Sequence, residues 1–251
     1  MAQLEGRVAL VTEGGSGIGL GTGKRMVEEG ATVYITGRGQ AGLDDATARL
    51  CDRVCAIRAD VSKKTEMEAV ADAIRHGQGK LDIVFANAGA PWDNTVENIT
   101  EEEFDNGITL DGKGTLFTVQ AALPLMGAGS TIIVNTSITK KMGVPTFGVY
   151  AATKVALRSF VRTWTNELRD RRSRVNAISP GVIHTEAYEK DTGVEGSAAY
   201  VRRVTEEIPA GRCPKDIGNA MAFLASERAP FINGVELAVD GSQTQIYAGH
   251  N

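Results

Sequence analysis

Residues 10–20 read LVTEGGSGIGL. An apolar run enters a glycine cluster, Gly14-Gly15-Ser16-Gly17-Ile18-Gly19, and a helical pattern follows. Glycines let a backbone approach a phosphate, and a helix start offers unpaired N–H groups and about half a unit of positive charge. Strand, glycine loop and helix in that order predict a dinucleotide site. Glu13 sets a carboxylate in the same loop, where it would repel phosphate. Farther on, Tyr150 and Lys154 lie four residues apart, so on a helix they share one face. A free phenol has a pKa of about 10, and a neighbouring ammonium stabilises the phenolate and lowers that value. Such a pair can carry a proton to or from a reacting oxygen. Glycine turns also serve plain packing, and a lone Tyr-x-x-x-Lys recurs by chance in helices, so context decides.

That context is an alternation of strands and helices. Short, β-branched apolar runs predict strands at Val8–Val11, Thr32–Ile35, Val54–Ile57, Ile83–Ala86, Thr131–Asn135, Arg174–Ile178 and Glu236–Val239. They alternate little between apolar and polar, as strands covered on both faces do. Helical patterns fall between them at Ile18–Glu29, Leu43–Leu50, Lys63–His76, Glu101–Leu125, Tyr150–Arg171 and Pro214–Ala225. Ser62 and Thr100 are placed to start helices, and Gly30 to end the first. Gly21 and Gly23 inside the first helix suggest close packing against the sheet. The expected fold is α/β: a single-domain, Rossmann-type, doubly wound parallel sheet of about seven strands with helices on both faces. No Pro/Ser-rich linker divides residues 1–251. Ligands of such sheets bind at the carboxyl ends of the strands, where strand order reverses.

Composition narrows the function classes. A net charge of −4, with acids and bases mixed along 251 residues, gives no basic block for nucleic acid. No stretch approaches the roughly 20 apolar residues of a membrane span, and MAQLEGRVAL has no signal-peptide core. Cys51, Cys55 and Cys213 read as reduced thiols of a cytoplasmic protein. Cys51 and Cys55 lack a second ligand pair, so no metal site is expected.

The motifs together resemble a classical short-chain dehydrogenase/reductase from end to end. The family's Thr-Gly-x-x-x-Gly-x-Gly is matched by Thr12, Gly17 and Gly19, with Glu13 in place of the first glycine. Asp60-Val61 resembles the pair whose carboxylate holds the adenine amine. Asn87-Ala88-Gly89 resembles Asn-Asn-Ala-Gly, with Ala86 for its first Asn. Ser137, Tyr150 and Lys154 keep the catalytic spacing, Tyr 13 positions after Ser and Lys four after Tyr. Pro180-Gly181-Val182-Ile183-His184-Thr185 resembles the segment gripping the nicotinamide end. Val239-Asp240-Gly241 resembles the ending of the last strand.

The resemblance implies hydride transfer between a nicotinamide dinucleotide and a ketone or secondary alcohol. Tyr150 would act as general acid/base. Lys154 would lower its pKa and hold the ribose, and Ser137 would bind the substrate oxygen. Thr12, Gly14, Ser16, Gly17, Ile18, Gly19, Arg38, Asp60, Val61, Asn87, Ala88, Gly89, Pro180, Gly181, Ile183 and Thr185 would line the cofactor. Thr36-Gly37-Arg38 lacks the acid that favours NAD and offers a cation for a 2′-phosphate, so NADP is expected, with NAD the alternative. Asp111 stands where the family carries an Asn, and its charge would offset part of the pull of Lys154 on the phenol. Trp92, Val144, Phe147, Ile183, His184, Tyr188 and Tyr200 would line an apolar or aromatic substrate pocket, with 186–197 as a lid. The two long helices would form a homodimer, and the last strand and tail a tetramer. Glu13 and Asp111 keep a second reading open, a nucleotide-binding sensor or scaffold with weakened chemistry.

Overall fold

The computed structural model describes residues 2–50, 53–91, 93–185 and 213–245. Seven strands form one sheet: β1 (Val8–Thr12), β2 (Thr32–Gly37), β3 (Val54–Arg58), β4 (Ile83–Ala86), β5 (Thr131–Asn135), β6 (Arg174–Pro180) and β7 (Glu236–Val239). Their order is β3-β2-β1-β4-β5-β6-β7 and every pairing is parallel. Strand direction explains the burial. Val8 and Leu10 face one core while Ala9 and Val11 face the other, and Ile132 and Val134 alternate with Ile133 in the same way. Both faces are therefore apolar, which the unalternating runs anticipate.

Helices α1 (Gly17–Glu28), α2 (Gln40–Leu50) and α7 (Pro214–Ala225) cover one face. Helices α3 (Lys64–Gln78), α5 (Gly114–Ala122) and α6 (Gly148–Glu167) cover the other. Between β4 and α5 lies α4 (Glu101–Gly107). Thr100 starts α4 with a reciprocal cap: its hydroxyl accepts from Glu103 N at 3.2 Å, and its own N–H donates to Glu103 Oε2 at 2.8 Å. Gly30, at φ 93°, turns the chain after α1, its N–H donating to Val27 O. No helix among the described residues is long and apolar enough to cross a membrane.

Three local expectations need correction. The expected helix Glu101–Leu125 is interrupted by a π-helical turn at Ile108–Lys113 before α5 begins. Ser62 does not cap α3; its N–H and hydroxyl both donate to Asp60 Oδ1, and Lys63 occupies the cap position. Gly21 packs against a helix rather than the sheet: a Cβ there would lie 2.5 Å from Pro214 Cβ and 2.9 Å from its carbonyl carbon. Gly218 of α7 returns the contact, its own Cβ position 2.9 Å from Gly21 O. Gly23 does face the sheet, near Ile35 and Val33. Gly21→Ala is therefore expected to cost about 1–3 kcal/mol, because the obstruction includes backbone that cannot swing away. Chemical denaturation of the variant checks this, and an unchanged midpoint would contradict it.

Candidate active site

The strand order reverses between β1 and β4, so the cleft opens at their carboxyl ends. Thr12 and Asn87 lock those ends together. The Thr12 hydroxyl accepts from the N–H groups of Asn87 and Ala88, both at 2.9 Å, and Asn87 Nδ2 donates to Thr12 O at 3.0 Å. Asn135 Nδ2 extends the chain to β5, donating to Asn87 Oδ1 at 2.9 Å. Thr12 is fully buried and its hydroxyl is spent on this framework. Gly14 donates its N–H to Thr36 O, and a Cβ on it would strike Ile35 at 2.6 Å. Gly19 brings α1 onto the loop, where a Cβ would sit 2.1 Å from Glu13 O. Ser16 caps α1 without a side-chain hydrogen bond. The first-turn N–H groups of Gly17, Ile18 and Gly19 thus have no capping side chain, a fit for an anionic diphosphate.

Farther along this edge, Asp60 gives Oδ1 to Ser62, while Val61 is buried with its side chain against Gly114. Burial opposes ionisation of Asp60, but the Ser62 donors, Arg38 and Lys63 outweigh it and hold its carboxyl below the usual range. Arg38 is exposed. Arg58, which the sequence did not single out, donates from Nε to Arg38 O at 3.1 Å and adds a second cation there. On the opposite side, Gly181 donates its N–H to Val239 O, Thr185 lies against Gly17, and Ile183 is buried in the core.

Glu13 crosses the cleft. Its backbone adopts φ 53°, the left-handed conformation that a glycine would take without strain. Its Oε2 accepts from Gly89 N–H at 3.2 Å, bridging the end of β1 to the segment after β4. The residue keeps an exposed surface, yet protein surrounds the carboxyl on most sides, and that burial raises its pKa above the ordinary carboxylate value. Gly89 N–H, Lys154 and Arg38 pull it back down in part, and Asp111 adds to the rise.

Tyr150 and Lys154 rise from the first turns of α6. The Lys154 ammonium lies 5.2 Å from the Tyr150 ring centroid, 3.1 Å from Asp111 Oδ2 and 3.5 Å from Asn135 O. The Lys154 and Asp111 side chains are 3% and 0% exposed, so this is a buried ion pair. The π turn rotates Asp111 inward, and Thr153 Oγ1 donates to its Oδ2 at 2.6 Å. Burial by itself lowers the Lys154 pKa; the charge of Asp111, helped by Tyr150 and Glu13, reverses this and raises it. Ser137 begins a short 3-10 turn, Ile138–Lys141, immediately after β5. Its Oγ accepts from Thr139 N at 3.2 Å and Thr139 Oγ1 at 2.9 Å. With both acceptor positions filled, its O–H remains free to donate.

Of the expected pocket residues, Phe147 stands edge-on to Tyr150, with centroids 5.7 Å apart and planes at 68°. Val144 and Phe147 are half-buried, and an isolated bridge joins Asn94 to Phe147, the Asn94 N–H donating to Thr146 O at 3.0 Å. His184 is exposed beside Ile183. Trp92, Tyr188, Tyr200 and the expected lid at 186–197 lie outside the described residues.

Two charged residues behind Ser137 were absent from the sequence reading. Lys140 and Glu236 form an ion pair whose side chains are 4% and 9% exposed. Only the fold brings them together, and no motif signals it.

The chain is similar to known oxidoreductases over nearly its whole length. A family model described as enoyl-(acyl carrier protein) reductase matches residues 14–244. An oxidoreductase, asL5, of Sarocladium schorii is 38% identical over 248 residues, 97% of this chain and 98% of its own. Elsinochrome reductase 1 of Elsinoe fawcettii is 33% identical over 259 residues, 96% of each chain. A probable tetrahydroxynaphthalene reductase of Zymoseptoria tritici is 32% identical, again over 96% of each chain.

Proposed function

We propose that this chain, which belongs to the classical short-chain dehydrogenase/reductase family of oxidoreductases, reduces aromatic or apolar ketones with NADPH and can run the reverse oxidation of the alcohol. The observation that carries the reading is the Lys154 ammonium, buried between the Tyr150 ring, Asp111 and the end of β5. Reductases of this family use nicotinamide cofactors, and the bound cofactor supplies or accepts the hydride. The chain's own residues do the rest. Ser137 donates its free O–H to the carbonyl oxygen and fixes it. Tyr150 gives its phenolic proton to that oxygen as negative charge develops there. Lys154 stabilises the resulting phenolate and holds ribose hydroxyls. The first turn of α1 receives the diphosphate. Arg38, with Arg58 beside it and no acid at its position, supports the 2′-phosphate and hence NADP over NAD.

The relatives named for elsinochrome and tetrahydroxynaphthalene reduction support an aromatic substrate, as do Phe147 and Val144. We read the whole chain as one cofactor-binding and catalytic domain working on a small molecule. It would form a homodimer or homotetramer through the face bearing exposed Phe104, Ile108, Leu116 and Val155. Free, exposed Cys55 and Cys213 support a reducing compartment such as the cytoplasm. The test is nicotinamide absorbance with purified protein, both cofactors and a ketone panel that includes bicyclic aromatic ketones. Turnover with NADPH is expected. Tight cofactor binding without turnover of any ketone would instead select the sensor reading, which Glu13 and Asp111 keep open.

The Asp111–Lys154 pair adds a pH signature. Part of the ammonium's field is cancelled by a carboxylate 3.1 Å away. Asp111→Asn keeps the shape but removes that charge, so the phenolate forms more easily. The alkaline-activated limb of alcohol oxidation is expected to move to lower pH by about one unit. Superimposable pH–rate profiles of variant and parent would refute it.

A further inference from the structure

Behind the catalytic edge, β5 and β6 end, and β7 begins, around one buried ammonium. Lys140 Nζ lies 2.5 Å from Glu236 Oε1, donates to Ser137 O at 2.7 Å and to Ser179 Oγ at 2.9 Å. One charged centre thus joins the residue that begins the substrate-binding turn, the residue just before Pro180, and the first residue of β7. Glu236 is itself held: Thr136 Oγ1 donates to its Oε1 at 2.9 Å, and Arg158 and Lys141 lie 3.9 Å from its Oε2.

Burial of an ammonium is costly unless the geometry is good and its protons are satisfied. Here all three donors of Lys140 have acceptors. Burial pulls its pKa below the ordinary lysine value, while Glu236 opposes the fall. A hydrophobic filler could pack this space with less electrostatic cost. An ion pair that fixes three strand ends adds something a filler lacks, which is direction.

We infer that Lys140 and Glu236 are positioning residues for the reaction: together they hold the Ser137 turn and the Ser179–Pro180 strand end in fixed register. Neither touches the reacting atoms. The inference rests on the reading of Ser137 as the substrate-oxygen donor. The Ser137 hydroxyl is aimed by Thr139, and the whole turn is anchored through its first carbonyl, so a loosened Lys140 lets the donor drift. A misplacement of about 1 Å at such a site can cost on the order of a hundredfold in rate.

The test compares Lys140→Met, Lys140→Arg and the double variant Lys140→Met/Glu236→Leu with the parent protein. Lys140→Arg keeps the charge opposite Glu236, but a planar fork cannot donate to both Ser137 O and Ser179 Oγ from a single centre. Ketone kcat is expected to fall about tenfold in this variant, while its melting temperature falls less than that of Lys140→Met, which leaves Glu236 unpaired. The double variant removes the unmatched charge and is expected to recover stability without recovering kcat. A merely stabilising pair would recover both. Independently of any substrate, a crystal structure of Lys140→Met is expected to show the Ser137 side chain displaced by about 1 Å or more.

Parental kcat in the double variant, or an unmoved Ser137, would overturn the inference. Ser137→Ala separates it from the underlying reading. If Ser137→Ala keeps parental turnover, the reading of Ser137 falls and the inference with it. If Ser137→Ala is inactive while the Lys140 variants are fully active, the inference alone falls.

Discussion

Glu13→Gly is expected to tighten NADPH binding about a hundredfold. The side chain crosses the cleft to Gly89 and so lies along the path between the glycine loop and Tyr150. A phosphate bound about 6 Å from the ionised carboxylate would be opposed by close to 3 kcal/mol at an effective dielectric near 20, which is about two powers of ten in affinity. Removing it also frees the Gly89 N–H and relaxes a left-handed backbone at φ 53°. A non-glycine residue held there stores about 1–2 kcal/mol, so the variant is also expected to melt higher. Titration of NADPH by fluorescence checks the first effect and calorimetry the second. Weaker or unchanged binding would mean that the carboxylate moves aside or itself bonds ribose hydroxyls.

The charge state of Glu13 gives the same idea a pH dependence. Its pKa is raised, so it takes up a proton closer to neutrality than an ordinary carboxylate. As pH falls through that value, the channel loses a negative charge and NADPH binds more tightly. As pH rises, affinity declines. By linkage the folded state is also stabilised as pH falls through the raised value, because it binds the proton more strongly than the unfolded chain does. Glu13→Gln should abolish this component of both dependences. Titration of the 2′-phosphate is common to both proteins and cancels in the comparison.

The second large effect is at Tyr150. Tyr150→Phe is expected to lower kcat about a thousandfold, the scale of a lost proton donor, while NADPH affinity stays within a small factor. The phenyl ring keeps its edge-on contact with Phe147 and its place beside Lys154, so the fold around it is preserved. Only the proton is missing. Activity within about tenfold of the parent would assign the donor to another group, and the reading of the site would fail.

Much of this architecture was legible in the chain because it depends on local patterns. Strands buried on both faces show as short apolar runs, and all seven lie where those runs fall, with Thr12, Thr36, Gly37, Arg58, Ser179 and Pro180 added at their ends. The Thr100 cap was readable because its partner Glu103 is three residues away. Features that depend on distant partners were not. Gly21 needed Pro214 and Gly218 to explain it. The π turn at Ile108–Lys113 breaks what periodicity presents as one helix, and it buries Asp111 opposite Lys154. Ser62 had the right residue type for a cap but is turned to Asp60, to which it donates, one residue ahead of the cap position at Lys63. Lys140 and Glu236 are far apart in the chain and carry no shared motif, and only the fold brings their side chains together.

The contacts of α1 have an implication for engineering. Thr185 rests on Gly17, and Pro214 on Gly21, so residues far apart in the chain meet the same helix about one turn apart. The usual helix-stabilising exchange of glycine for alanine is therefore closed at both positions. A design meant to stiffen α1 has to act on its outward face and leave these two contacts bare.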